Sequence, residues 1–116
     1  MQPVILIIEP RPEVADALEE VVTSARYDAL VRAHVETLTD LGLTPAAIIV
    51  RVAFEGFGEP AHAAIARFPR NRPPVIAIAW EDREVTEAMR LGCEIVLRAP
   101  GEVGRLCHAL TTLVNA

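Results

Sequence analysis

Three runs along the chain are continuously apolar: Val4–Ile8, Ala46–Val50 and Val75–Trp80, each bounded by proline or charge. Short runs of this kind, rich in Ile and Val, predict strands buried on both faces, as in a parallel sheet. Glu94–Arg98 reads as a further strand of the same type, and Tyr27–Val31 as a weaker one with edge character. The intervening segments switch to a helical period. Val14, Leu18, Val21 and Ala25 form a stripe that predicts a first helix over 13–26, with Pro12 at its entry and Glu13 and Asp16 facing the positive end of its dipole. Val35, Leu38 and Leu41 predict a second helix over 34–41, stopped by Gly42. Ala61, Ala64, Ile65 and Phe68 predict a third over 60–68. The fourth starts after Asp82 as N-cap, aligns Val85, Ala88 and Met89, and ends at Gly92. The last runs over 103–114, where Val103, Leu106, Cys107, Leu110, Leu113 and Val114 keep the rhythm.

Buried strands alternating with amphipathic helices imply an α/β fold, a parallel sheet covered on both faces with right-handed crossovers. A chain of 116 residues gives this pattern room for one domain, 1–116. In such sheets ligands bind where the strand order reverses, at the carboxyl ends of the strands. Functional residues are therefore expected just after Ile8, Val50, Trp80 and Leu97.

Composition narrows the chemistry. The chain is 52% hydrophobic and 23% charged, enough for a true core. All eleven basic residues are arginine, so no site can use a lysine ammonium, whether a phosphate-binding loop or a Schiff base. The net charge of −5 argues against a nucleic-acid surface on this chain alone, since phosphate binding needs clustered positive charge. The first apolar run is too short for a signal peptide or a membrane span, and a cytoplasmic location is expected. Cys93 and Cys107 are read as small buried hydrophobes, and with three scattered histidines they give no metal spacing.

The strand ends are unusual. After the first stands Glu9-Pro-Arg-Pro12, where a nucleotide or flavin site would place Gly, Ser or Thr so that backbone N–H groups could approach a phosphate. Arg51 ends the third strand and needs a partner, with Glu9 and Glu55 as candidates, or an exit to water. Phe57, in Gly56-Phe-Gly58, either contacts a partner or folds back on its own helix. Trp80 lies either at the mouth of the crevice or packed at the core edge. Ala99-Pro100 is a candidate cis bond. No nucleophile with an adjacent base occurs in this set, and the only serine, Ser24, lies far from it. His34, His62 and His108 fall on separate elements, each expected at or near the surface. An enzyme is not expected, and no cofactor is implied.

The pattern resembles the receiver domain of bacterial two-component response regulators along essentially the whole chain. The family's opening strand, of the type Ile-Leu-Ile-Val-Asp-Asp-Glu-Pro, stands here as Ile5-Leu-Ile-Ile-Glu-Pro-Arg-Pro12; its third strand stands as Pro45-Ala-Ala-Ile-Ile-Val-Arg-Val52, and its fourth as Pro74-Val-Ile-Ala-Ile-Ala-Trp80. The segment Ala88-Met-Arg-Leu-Gly-Cys-Glu-Ile-Val-Leu-Arg-Ala-Pro100 is similar to the family's Ala-xxx-Gly-Ala-xx-Tyr-Leu-x-Lys-Pro, with Ala, Gly and Pro at matching spacing. The resemblance implies a flavodoxin-like (CheY-like) doubly wound five-stranded sheet of order 2-1-3-4-5.

The departures fall on the chemistry. The resemblance puts Glu9 and Pro10 where the family holds two magnesium-binding acids, and Arg51 where it holds the phosphoacceptor aspartate. Ala79 replaces the hydroxyl that senses the phosphoryl group, Val96 the aromatic switch residue, and Ala99 the lysine. Arginine, always protonated, cannot attack phosphorus. The expectation is a degenerate receiver, or pseudo-receiver, that binds a protein partner without being phosphorylated. By family analogy, Arg90, Glu94, Arg98 and Arg105 form a candidate partner or homodimer surface on the fourth helix, fifth strand and last helix. The alternatives are a regulatory domain of a longer transcription factor or kinase, and a small-anion site around Arg51, Glu9, Glu55 and Trp80.

Overall fold

The computed structural model describes residues 2–54, 56 and 58–115. Five parallel strands, β1 (Val4–Ile8), β2 (Asp28–Arg32), β3 (Ala47–Arg51), β4 (Val75–Ala79) and β5 (Ile95–Arg98), form one sheet in the order β2-β1-β3-β4-β5. The doubly wound fold expected from the sequence is therefore present. Among the described residues four α-helices flank the sheet: α1 (Pro12–Ser24), α2 (Ala64–Arg67), α3 (Asp82–Arg90) and α4 (Leu106–Val114).

Alternate residues of the central strands feed two cores. Ile5, Ile7, Ile49, Ile76 and Ile78 pack against Leu18 and Val22 of α1 and Leu106 and Leu110 of α4. Leu6, Ile8, Ile48 and Val50 face Val35, Ile65 and Phe68 on the other side. A smaller cluster joins Val52 and Ala77 to Ala88 of α3. Both faces of each inner strand are thus apolar, which is why their sequences read as unbroken hydrophobic runs.

The predicted second helix does not form. Only Leu38–Leu41 makes a 3₁₀ turn, and Gly42 stops it in the left-handed region at φ 70°. Thr37 and Thr39 hydrogen-bond to each other through their hydroxyls at 3.0 Å, the local side-chain bonding that competes with helix. The stripe is still used, because Val35 is buried and Leu38 and Leu41 pack beside it, but from an irregular strap. The third predicted helix is a 3₁₀ turn at Ala61–Ala63 running into α2, and it ends because Phe68 precedes Pro69 and is held extended. The last is also split, with a 3₁₀ turn at Val103–Arg105 before α4.

Two further expectations are corrected. The N-cap of α3 is Glu81, not Asp82: Glu81 and Glu84 form a reciprocal capping box, and Asp82 is the first helical residue. Cys107 is exposed, because its position on α4 turns away from the sheet. Cys93 is half-buried, and burial pushes its thiol up to about 11. Among the described residues no helix is long and apolar enough to cross a membrane.

Candidate functional site

The register of the sheet assembles the site. Ile8 pairs with Val50 across β1 and β3, so the next residues, Glu9 and Arg51, emerge side by side at the carboxyl ends of the two central strands. Arg51 Nε donates to Glu9 Oε2 at 2.8 Å, with the Arg51 side chain 11% exposed and that of Glu9 fully buried. Of the three routes open to Arg51 from sequence, the Glu9 pair is present; Glu55 lies outside the described residues. The second Glu9 oxygen accepts the backbone N–H of Arg11 at 3.0 Å. Both carboxylate oxygens are therefore engaged by donors of this chain. A buried carboxylate is tolerated only with such compensation, here one guanidinium and one amide.

The other positions to which the resemblance pointed lie at or near neighbouring strand ends. Ala79 ends β4 and Ala99 follows β5, and the Ala99 N–H donates to the Ala79 carbonyl at 2.7 Å. Both alanines are buried, and the Ala99–Pro100 bond is cis. Pro10 is exposed at the turn. Val96 packs against the cluster of Val52, Ala77 and Ala88 beneath α3. No hydroxyl or ammonium reaches the crevice from positions 79 or 99.

The fit to a magnesium ion is poor. A hard divalent cation needs several oxygen ligands, commonly two or more carboxylates. At this rim the one carboxylate offered by the first strand is already held by a cation, and the adjacent proline side chain carries no ligand atom. Among the described residues no group of three or more His, Cys, Asp or Glu side chains is placed to hold a metal.

The loop after β4 is held from two sides. Glu84, buried in the first turn of α3, accepts the backbone N–H groups of Trp80 at 2.8 Å and Glu81 at 3.0 Å through one oxygen. Arg98, from the end of β5, donates to the Trp80 carbonyl at 2.6 Å and to Asp82 at 2.7 Å. Of the two placements open to Trp80, the structure has the exposed one, at 50%.

His62 was expected near the surface and is instead buried. Its Nδ1 accepts the backbone N–H of Ala53 at 3.4 Å, and its ring meets Phe54 edge-on at 5.2 Å. Burial holds its pKa below the ordinary value of 6.5, against the opposing pull of Glu87 and Glu84. His62 therefore serves as a neutral post under the segment that leaves Arg51, while His34 and His108 are exposed as expected. Phe57 lies outside the described residues.

The candidate interaction residues are each engaged within the chain. Arg90 pairs with Glu87, Glu94 with Arg72 at 2.6 Å, Arg98 with Asp82, and Arg105 with Glu102 at 3.5 Å. The pairs of Arg90, Arg98 and Arg105 are exposed and contribute little to stability, whereas the Arg72 side chain that holds Glu94 is largely buried.

Glu84, Phe54 and Arg83 carry no mark in the sequence analysis, and His62 is placed there at the surface. The Glu81-x-x-Glu84 spacing at the start of an amphipathic helix is the available signal, though glutamate is not a favoured N-cap.

No family model matches the chain, and no curated protein does. Solved structures do. A response regulator receiver protein from Burkholderia phymatum superposes with a TM-score of 0.80 at 19% identity, covering 98% of this chain and 96% of that one. A response regulator receiver protein from Pseudomonas putida gives 0.75 at 18% identity, with 97% and 98% covered. The signal receiver domain of a histidine kinase from Syntrophus aciditrophicus gives 0.75 at 21% identity, with 97% and 90% covered. The chain has the receiver-domain fold. These identities establish the fold, and the function has to be read from the site.

Proposed function

We propose that this chain is a receiver-fold signalling domain that works without aspartyl phosphorylation and acts by binding a protein partner. The observation that supports this most directly is the ion pair of Arg51 with buried Glu9, at the position where the receiver resemblance requires the phosphoacceptor. A phosphoryl group can be accepted only by a nucleophile. A guanidinium is not one, and it also discharges the carboxylate that would help to hold a metal. Downstream of that position the relay is missing as well. Ala79 has no hydroxyl with which to sense a phosphoryl group, and Glu84 and Arg98 tie down the loop that follows it.

The pair does internally what a bound cation would do among clustered carboxylates: it cancels charge in a partly dry crevice. The domain is accordingly held in one conformation, and partner binding depends on surface chemistry rather than on a switch. The Syntrophus structure is a receiver domain of a histidine kinase, so the same role inside a longer regulator is the second reading.

Incubation with acetyl phosphate and Mg²⁺, followed by intact-mass measurement, tests the proposal. The mass is expected to stay unchanged. A phosphoryl adduct labile to hydroxylamine would overturn the proposal.

A further inference from the structure

Two aromatic side chains at the carboxyl-end rim are not absorbed by the core. Trp80, the single tryptophan of the chain, is half exposed, and Phe54 is 38% exposed. They line a hollow of about 300 Å³ together with Arg11, Arg51 and Arg83. Arg11 and Arg51 also line a second hollow of about 320 Å³ beside His34 and Pro60. The two hollows are neighbours at the carboxyl ends of the strands, with Arg11 and Arg51 shared between their walls.

Among the described residues the carboxylates of this rim are engaged internally. Glu9 serves Arg51 and the Arg11 amide, and Glu84 serves the amides of Trp80 and Glu81. Glu81 holds Arg83 Nε at 2.8 Å, and the Arg83 guanidinium lies over the Phe54 ring, 5.3 Å from its centroid. Among the described residues no protein acceptor meets the two terminal nitrogens of Arg83. The Trp80 backbone is fixed as well, its amide N–H held by Glu84 and its carbonyl by Arg98, which sets where the indole stands. A guanidinium already held in place loses little freedom on binding, and Trp and Arg are the residue types that dominate binding hot spots.

We infer that Trp80, Phe54 and Arg83 form the docking site for an acidic segment of a partner protein. One carboxylate of the segment sits on the terminal nitrogens of Arg83, and a neighbouring apolar side chain lies on the indole. This rests on the proposed role as an interaction module and gives that module its site and its partner chemistry. A peptide is favoured over a small molecule because Trp80, Phe54 and Arg83 stand half open to solvent, whereas small-molecule sites enclose most of the ligand. The chain's net charge of −5 opposes long-range attraction of an acidic segment, so recognition is short-range and association is not electrostatically steered.

The test uses Trp80 emission as the reporter. The full chain is titrated with a capped pentapeptide, Asp-Glu-Phe-Glu-Asp, and separately with Lys-Lys-Phe-Lys-Lys and with benzoate. A saturable blue shift is expected for the acidic peptide alone. Affinity should fall roughly tenfold or more in Arg83→Glu, which loses charge-assisted hydrogen bonds at a solvent-facing side chain that the fold does not need. No saturable change, equal affinity in Arg83→Glu, or an equal response to the basic peptide would overturn the site. Saturation by benzoate at the same concentration would overturn the peptide assignment in favour of a small-anion pocket. No phosphoryl group enters this titration, so its failure leaves the phosphorylation-independent reading standing, and a phosphoryl adduct would remove that reading alone.

Discussion

Arg51→Met should lower the unfolding free energy by about 3–5 kcal/mol, the cost of stranding a buried charge whose partner has been removed. The Glu9 side chain is fully buried and would keep only the Arg11 amide as a donor. Methionine fills similar space, so the loss would report charge rather than a cavity. The double variant Glu9→Gln/Arg51→Met separates the two. Glutamine still presents an oxygen to the Arg11 amide but carries no charge, so the double variant should recover much of the stability lost by Arg51→Met. Residues in direct contact couple by about 0.5–3 kcal/mol in such cycles. Urea unfolding of the four proteins supplies the numbers. A loss below about 1 kcal/mol in Arg51→Met, the range of an exposed pair, would mean that the pair is solvated rather than structural.

The second large effect is expected at Glu84. Glu84→Ala leaves the amides of Trp80 and Glu81 without their acceptor and removes half of the α3 capping box. The cost should be about 1–3 kcal/mol, the range for unsatisfied donors and lost caps. Glu84→Gln, which keeps an acceptor oxygen in place, should cost distinctly less. Hydrogen exchange gives the more specific readout: the amides of Trp80 and Glu81 should exchange faster in Glu84→Ala, while those of β1 and β3 keep their protection. Unchanged exchange at residues 80 and 81 would show that Arg98 alone holds the loop. The peptide-docking site depends on the same scaffold, because Glu84 and Arg98 fix the backbone that presents the indole.

The sheet was legible because each inner strand is apolar on both faces, a pattern few other elements share. Val4–Ile8 agrees between sequence and structure without adjustment. The helices were less legible where periodicity and local chemistry disagreed. Val35, Leu38 and Leu41 have helical spacing, yet Thr37 and Thr39 bond to each other and Gly42 closes the turn, so the stripe is buried without a helix. The Glu9–Arg51 pair was visible as one of several partnerships, and only the β1–β3 register selects it. Side chains that meet across elements were the least legible. His62 reaches the Ala53 amide and the Phe54 ring from a turn with no distinctive sequence. Arg83 stacks on Phe54 across 29 positions of chain, a contact that no local pattern encodes. The absence of lysine excludes ammonium chemistry throughout the chain, the crevice beside Ala99 included.

In the proposed function the Arg51–Glu9 pair takes the place of phosphoryl and metal chemistry at the carboxyl ends of β1, β3 and β4. The most direct test of this claim is titration of the isotope-labelled chain with Mg²⁺ and beryllofluoride, a phosphoryl mimic, followed by NMR of the amides at residues 9, 51 and 79. No saturable shift is expected at these positions up to millimolar concentrations. A saturable response centred on all three would show that the crevice still takes a cation and a phosphoryl group, and would overturn the phosphorylation-independent reading.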